Sequence, residues 1–151
     1  MVDKNKREFN LPLAELLDRL TITQIKLVML PGDKTSFLAE IKKIEHDIDQ
    51  ITKENSIVFD SAFIKNIIAL SQINLHIWNN KDQMQAVLDK ESEYLALLKF
   101  AHQLNGFRNI IKNKILLWDS GASEPSNQKS NFETDGLNLG ISIDWSLVSW
   151  R

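Results

Sequence analysis

Residues 13–27 read LAELLDRLTITQIKL, and how this stretch divides between core and solvent decides the fold. Leu13, Leu16, Leu17, Leu20, Leu27 and Val28 recur at three-four spacing, with Gln24 as the polar exception. That period belongs to a helix with one face buried. Ile22, Ile25 and Met29 add a second apolar stripe, so the helix is expected to be covered on more than one side. Asn10 is placed to cap it and Pro12 suits its opening turn. PGDK at 31–34 ends it.

The same period recurs outward from there. A second helix is expected over residues 35–53, with Phe37, Leu38, Ile41, Ile44, Ile48 and Ile51 on one face. Lys42, Lys43, Asp47, Asp49 and Gln50 are assigned to its wet side. ENSIVFDS interrupts the pattern, and Asp60 or Ser61 can cap a third helix over residues 61–78. Its face reads Phe63, Ile64, Ile67, Ile68, Ser71, Leu75 and Trp78. WNNKD at 78–82 reads as a joint, followed by a long helix over residues 81–117. Gly106 lies inside that helix at a cost of about 1 kcal/mol relative to alanine, so a bend or a close helix contact is expected near Asn105 and Gly106.

Beyond this the composition changes. Residues 119–136 are rich in Ser, Asn and Gly and read as a flexible linker. In residues 137–151, Leu137, Leu139, Ile141, Ile143, Trp145 and Leu147 alternate with small or polar residues, the pattern of an extended, strand-like segment. The chain therefore reads as all-α: an antiparallel bundle of about four main helices (residues 9–118), a linker, and an extended C-terminal segment. A lone strand cannot satisfy its own backbone, so this segment is expected to make a homo-oligomer, most simply a dimer, by pairing with its copy or crossing between subunits.

Composition bounds the function. With 151 residues, 43% hydrophobic and 25% charged, the chain has the makings of one globular domain. A net charge of −2 gives no basic surplus for nucleic acid. The absence of cysteine removes disulfides, thiolate chemistry and Cys-ligated zinc. No run approaches the roughly 18 uninterrupted apolar residues of a membrane span, and MVDKNKREFN lacks the apolar stretch of a signal peptide. The cytoplasm is the expected location.

Several polar groups fall on or beside apolar stripes. Glu15, Arg19 and Lys26 share one side of the first helix, and Asp18 lies about 60° around it, on a stripe with Thr21, Ile22 and Ile25. A solvated edge with ordinary ion pairs is the plainer account of them; a polar seam facing another helix is the alternative, favoured by the second apolar stripe. Asn74 and Trp78 share a face of the third helix. Asn105, Arg108 and Lys112 share a face of the fourth, where they could grip a phosphate or carboxylate or simply complement the helix dipole. His46, His76 and His102 form no metal-binding motif, so no metal or other cofactor is expected. Gly-rich phosphate loops, nucleophile elbows and dinucleotide fingerprints are absent from the sequence.

LAELLDRLTITQIKL, LSQINLHIW and YLALLKFAHQLNGFRNIIKNKI, taken in order, resemble a family of small all-helical bacterial proteins. That family is often associated with genes for surface-polysaccharide and lipopolysaccharide assembly. The resemblance covers residues 9–117 and carries Asp18, Arg19, Thr21 and Lys26 in its first block, Asn74 and Trp78 in its second, and Asn105 and Arg108 in its third. Ile77 and the sequence Asn79-Asn80-Lys81 depart from the family's leucine before the tryptophan and acidic residues after it. The resemblance implies a polar cluster gathered from the first, third and fourth helices. Two functions follow as expectations. The first is a noncatalytic interaction or accessory protein serving envelope polysaccharide synthesis, with a self-association surface. The second is a small enzyme or ligand-binding module for a phosphorylated or acidic sugar derivative. In the second, Arg108, Lys112 and Lys26 would hold the anion and Asp18 or Glu15 would act as general base.

Overall fold

A computed structural model describes residues 6–119. The expected linker and C-terminal segment lie outside the described residues, apart from Asp119. Four helices make up the fold: α1 Leu13–Met29, α2 Thr35–Glu54, α3 Ser61–Ala86 and α4 Glu91–Leu116. There is no strand among the described residues, and the all-α architecture is as the periodicity predicts.

Helices α1 and α2 run antiparallel, with Phe9 beside Asp47 and Arg19 beside Glu40, and so do α3 and α4. Asn80 reaches the Leu97 carbonyl near one end of α3 and α4, while Phe63 meets Trp118 edge-on, with ring centroids 5.5 Å apart, near the other. Helix α1 packs against α2, α3 and α4 alike, whereas α2 touches little but α1. The core therefore gathers around the N-terminal half of α1. Leu13 and Leu16 there are fully enclosed, with Ile44 and Ile51 from α2, Leu70 and Ile73 from α3, and Leu104, Ile111 and Ile115 from α4. Each such side chain contributes about 1.5–3 kcal/mol by leaving water. Two-sided burial of α1 holds only in this half. Val28 and Met29 at its other end are exposed.

Local chemistry sets the boundaries. Asp33 Oδ1 accepts from both the backbone and the hydroxyl of Thr35 and so starts α2; the Thr35 hydroxyl bond, more than the backbone one, holds the Asp33 carboxyl below its ordinary pKa. Gly32 precedes it at φ +93°, a conformation that L side chains rarely adopt. Helix α2 ends where Ser56 takes φ 50°, the Ile57 amide donates to the Thr52 carbonyl and the Ser56 amide to that of Lys53. This is a Schellman turn with serine in the place usually held by glycine. Asp60 caps α3 by accepting from Phe63 N at 2.8 Å.

Three expectations are corrected. WNNKD is not a joint: α3 continues to Ala86, since residues 78–86 contain neither glycine nor proline, and Asn80 is tied to α4. The break falls at residues 87–90, and α4 runs unbroken through a buried Gly106. The buried face of α3 is also rotated from the expected one. Phe63 and Ile67 face inward, but Ile64, Ile68 and Leu75 are exposed, while Asn66, Ala69, Asn74 and Asn80 are buried in their stead. Asp47, assigned to the wet side of α2, is fully buried. It stands three and four residues from Ile44 and Ile51, on their stripe, and accepts from the amides of Glu8 at 2.8 Å and Phe9 at 2.6 Å.

Candidate functional site

Asp18 sits on the side of α1 that faces α3 and α4, with only 4% of its surface exposed. A carboxylate cannot remain there unpaired without a cost of several kcal/mol. Its partners come from both neighbouring helices. Asn74 Nδ2 of α3 donates to Asp18 Oδ1 at 2.9 Å and to Thr21 Oγ1 at 2.7 Å. Thr21 Oγ1 in turn donates to the Asp18 backbone carbonyl at 2.8 Å. From α4, Arg108 Nε donates to Oδ1 at 2.9 Å and Arg108 Nη2 to Oδ2, a bidentate fork. The hydrogen bonds that Arg108 donates to Asp18 raise its pKa above the ordinary value, outweighing the opposing effect of burial.

A second ion pair lies one turn away. Lys112, 4% exposed, places Nζ 2.7 Å from Glu15 Oε1 and 3.9 Å from Asp18 Oδ2. Two acids and two bases thus close a neutral polar seam across three helices. The solvated-edge account of Asp18 is overturned, and Glu15 pairs across helices with Lys112 and not with Arg19 one turn along α1. Arg19 instead donates to Glu40 of α2 at 2.6 Å and stacks over the Phe9 ring at 4.5 Å.

On the outer side of α1 the seam borders an open cavity of about 490 Å³. Leu11 and Ile22 form its apolar wall, and Glu15, Asp18, Lys26 and Glu40 its polar one, with Arg19 and Thr23 also lining it. The polar residues singled out from sequence therefore divide. Asp18, Asn74, Arg108 and Lys112 converge; Arg19 and Lys26 lie on the cavity side. Asn105 instead donates to Ala101 of its own helix at 3.0 Å, and the half-buried Trp78 takes no part in the hydrogen bonds around Asp18.

As chemistry, the seam is closed. Three side-chain donors occupy the Asp18 oxygens, Asn74 Nδ2 and Arg108 Nε on Oδ1 and Arg108 Nη2 on Oδ2. Among the described residues there is no group of three or more His, Asp or Glu placed to hold a metal. Two structural carboxylates went unread in the sequence. Besides Asp47, Asp119 is buried and accepts from Asn55 Nδ2 at 2.7 Å and from the Leu13 amide at 3.4 Å. It serves the first turn of α1, whose preceding residue is Pro12 and offers no side-chain cap. Asp47 was legible from its three-four spacing to isoleucines; Asp119, a hundred residues from its amide, was not.

No protein-family model matches this chain, and no curated protein or solved structure shows significant similarity to it.

Proposed function

We propose that this chain is a noncatalytic interaction protein that works as a dimer. Envelope polysaccharide synthesis, as its setting, rests on the sequence resemblance alone. The observation that carries the reading is the outer surface of α3. Ile64 and Ile68 are 51% and 52% exposed, and with Leu75 they fall within about 40° of arc. Exposed hydrophobic residues scattered singly need no explanation, but a stripe along one helix marks a contact surface. Val58, Phe59 and Leu117, also exposed, extend the apolar character toward the Phe63–Trp118 contact, where the chain leaves α4. The neutral, occupied seam around Asp18 favours this reading over an enzyme.

The occupant we assign is residues 137–147 of a second copy. In an extended chain, alternate side chains recur about every 6.6 Å; on a helix, residues four apart recur about every 6 Å. An alternating segment laid along α3 can thus match Ile64 and Ile68. Two such segments, one from each copy, can also pair edge to edge and satisfy their backbones, which a helix surface cannot do.

Ile64→Asp/Ile68→Asp in the full chain tests the surface. Both sites are exposed, so helical circular dichroism should be unchanged while the mass by light scattering falls from dimer to monomer. A variant that keeps the dimer mass removes this face from the contact.

A further inference from the structure

The cavity beside α1 contains one charge that the seam leaves over. Glu15 is paired with Lys112, Asp18 with Arg108 and Glu40 with Arg19. Lys26 lines the same cavity, is partly buried, and has no ion-pair partner among the described residues. Counting the paired groups as neutral, the site carries a single positive charge at Lys26. The paired carboxylates keep acceptor capacity, because Glu15 and Glu40 each engage one oxygen and leave the other unassigned. Leu11 and Ile22 supply an apolar wall.

We propose that this cavity binds a small polyhydroxylated monoanion. Lys26 takes the anionic group as a charge-assisted contact, which fixes one end of the ligand. Hydroxyls donate to the free oxygens of Glu15 and Glu40, and the ligand's C–H face lies on Ile22, one turn of α1 from Lys26. Arg108 and Lys112 are not ligands, because the seam already engages them. The carboxylates exclude a second anionic group, so a multiply charged phosphate is disfavoured. A volume of about 490 Å³ admits a molecule the size of a hexuronate. This proposal does not depend on the dimer, since its residues lie on α1, α2 and the segment before α1, away from the exposed stripe of α3.

The test is titration of the full chain, observed through backbone amide chemical shifts, with glucuronate, glucose, acetate and inorganic phosphate as separate probes. Glucuronate should give saturable shifts at Ile22 and Lys26, and should bind more tightly than the other three. Lys26→Gln should weaken it by about tenfold or more, the worth of one charge-assisted hydrogen bond, with an unchanged thermal melt. Lys42→Gln, on the exposed side of α2, should leave it unaltered. The proposal is overturned if glucuronate gives no saturable shift up to about 20 mM, well above the affinity of such a contact. It is equally overturned if Lys26→Gln binds as tightly as the parent, or if acetate or phosphate matches glucuronate.

Discussion

Asp18 shows how much one buried charge dictates. Alone it would be intolerable in the core, and the chain answers with a fork from Arg108, an amide from Asn74 and a nearby Lys112. Such a pair is weak evidence of added stability but strong evidence of constraint, since removing one partner strands the other. Arg108→Leu should therefore destabilise the fold by about 3 kcal/mol in urea unfolding. The double variant Asp18→Leu/Arg108→Leu should lose less than the sum of the two single variants, with a coupling of about 1–3 kcal/mol. Coupling near zero would mean that the fork carries no weight. The arginine side of this pair is indifferent to pH over the ordinary range. Its raised pKa means that its contribution is complete below the unfolded value and lost only as pH climbs through the folded one, in strong alkali. The seam was partly legible in sequence, because Asp18 and Arg108 stand beside apolar stripes on helices that must meet. Their partners were less so. Asn74 was visible by spacing, whereas the choice of Lys112 rather than Arg19 for Glu15 depends on which helix packs opposite, and no local pattern states that.

Among the elements, α3 is the instructive failure. Its isoleucines and leucines suggest one inward face, yet the helix turns by about a third of a revolution to bury Asn66, Ala69 and Asn74. Helix α3 packs against both α1 and α4 there, and Asn74 supplies the donor that Asp18 demands. Apolar periodicity reads only the hydrophobic part of a core, so a helix that buries amides is read with the wrong rotation. The extent of α3 failed for a related reason. Asparagines at 79 and 80 look like a turn, but Asn80 spends its amide on the Leu97 carbonyl and stays helical. The end of α2 offers a direct test of local chemistry. Ser56 holds φ 50°, a conformation costing a non-glycine residue about 1–2 kcal/mol, while glycine there gives back about 0.5–1 kcal/mol as unfolded-chain entropy. Ser56→Gly should therefore raise stability by up to about 1 kcal/mol, read as a higher urea midpoint at unchanged slope. A lower midpoint would show that the serine side chain contributes more than its backbone strain removes.

The whole molecule follows from α1, which the first stretch of sequence singled out. Its apolar residues call for neighbours on more than one side, and α2 on one flank with the α3–α4 hairpin on the other supply them. The all-α class was legible because four segments carry a helical period; the topology was not, because which helix α1 would share with Asp18 is a matter of three-dimensional packing. This arrangement leaves the outer side of α3 uncovered, with Ile64 and Ile68 half in water. The proposed dimer covers it with the alternating residues 137–147 of a second copy. Among the described residues no helix is long and apolar enough to cross a membrane. The most direct test is sedimentation velocity across dilution, comparing the intact chain with one ending at Ser120, each checked for helical circular dichroism. The account predicts a dimer for the intact chain and a monomer of equal helicity for the shortened one. A shortened chain that sediments as a dimer, or an intact chain that is monomeric at about 100 µM, where even a weak specific dimer would populate, would contradict it.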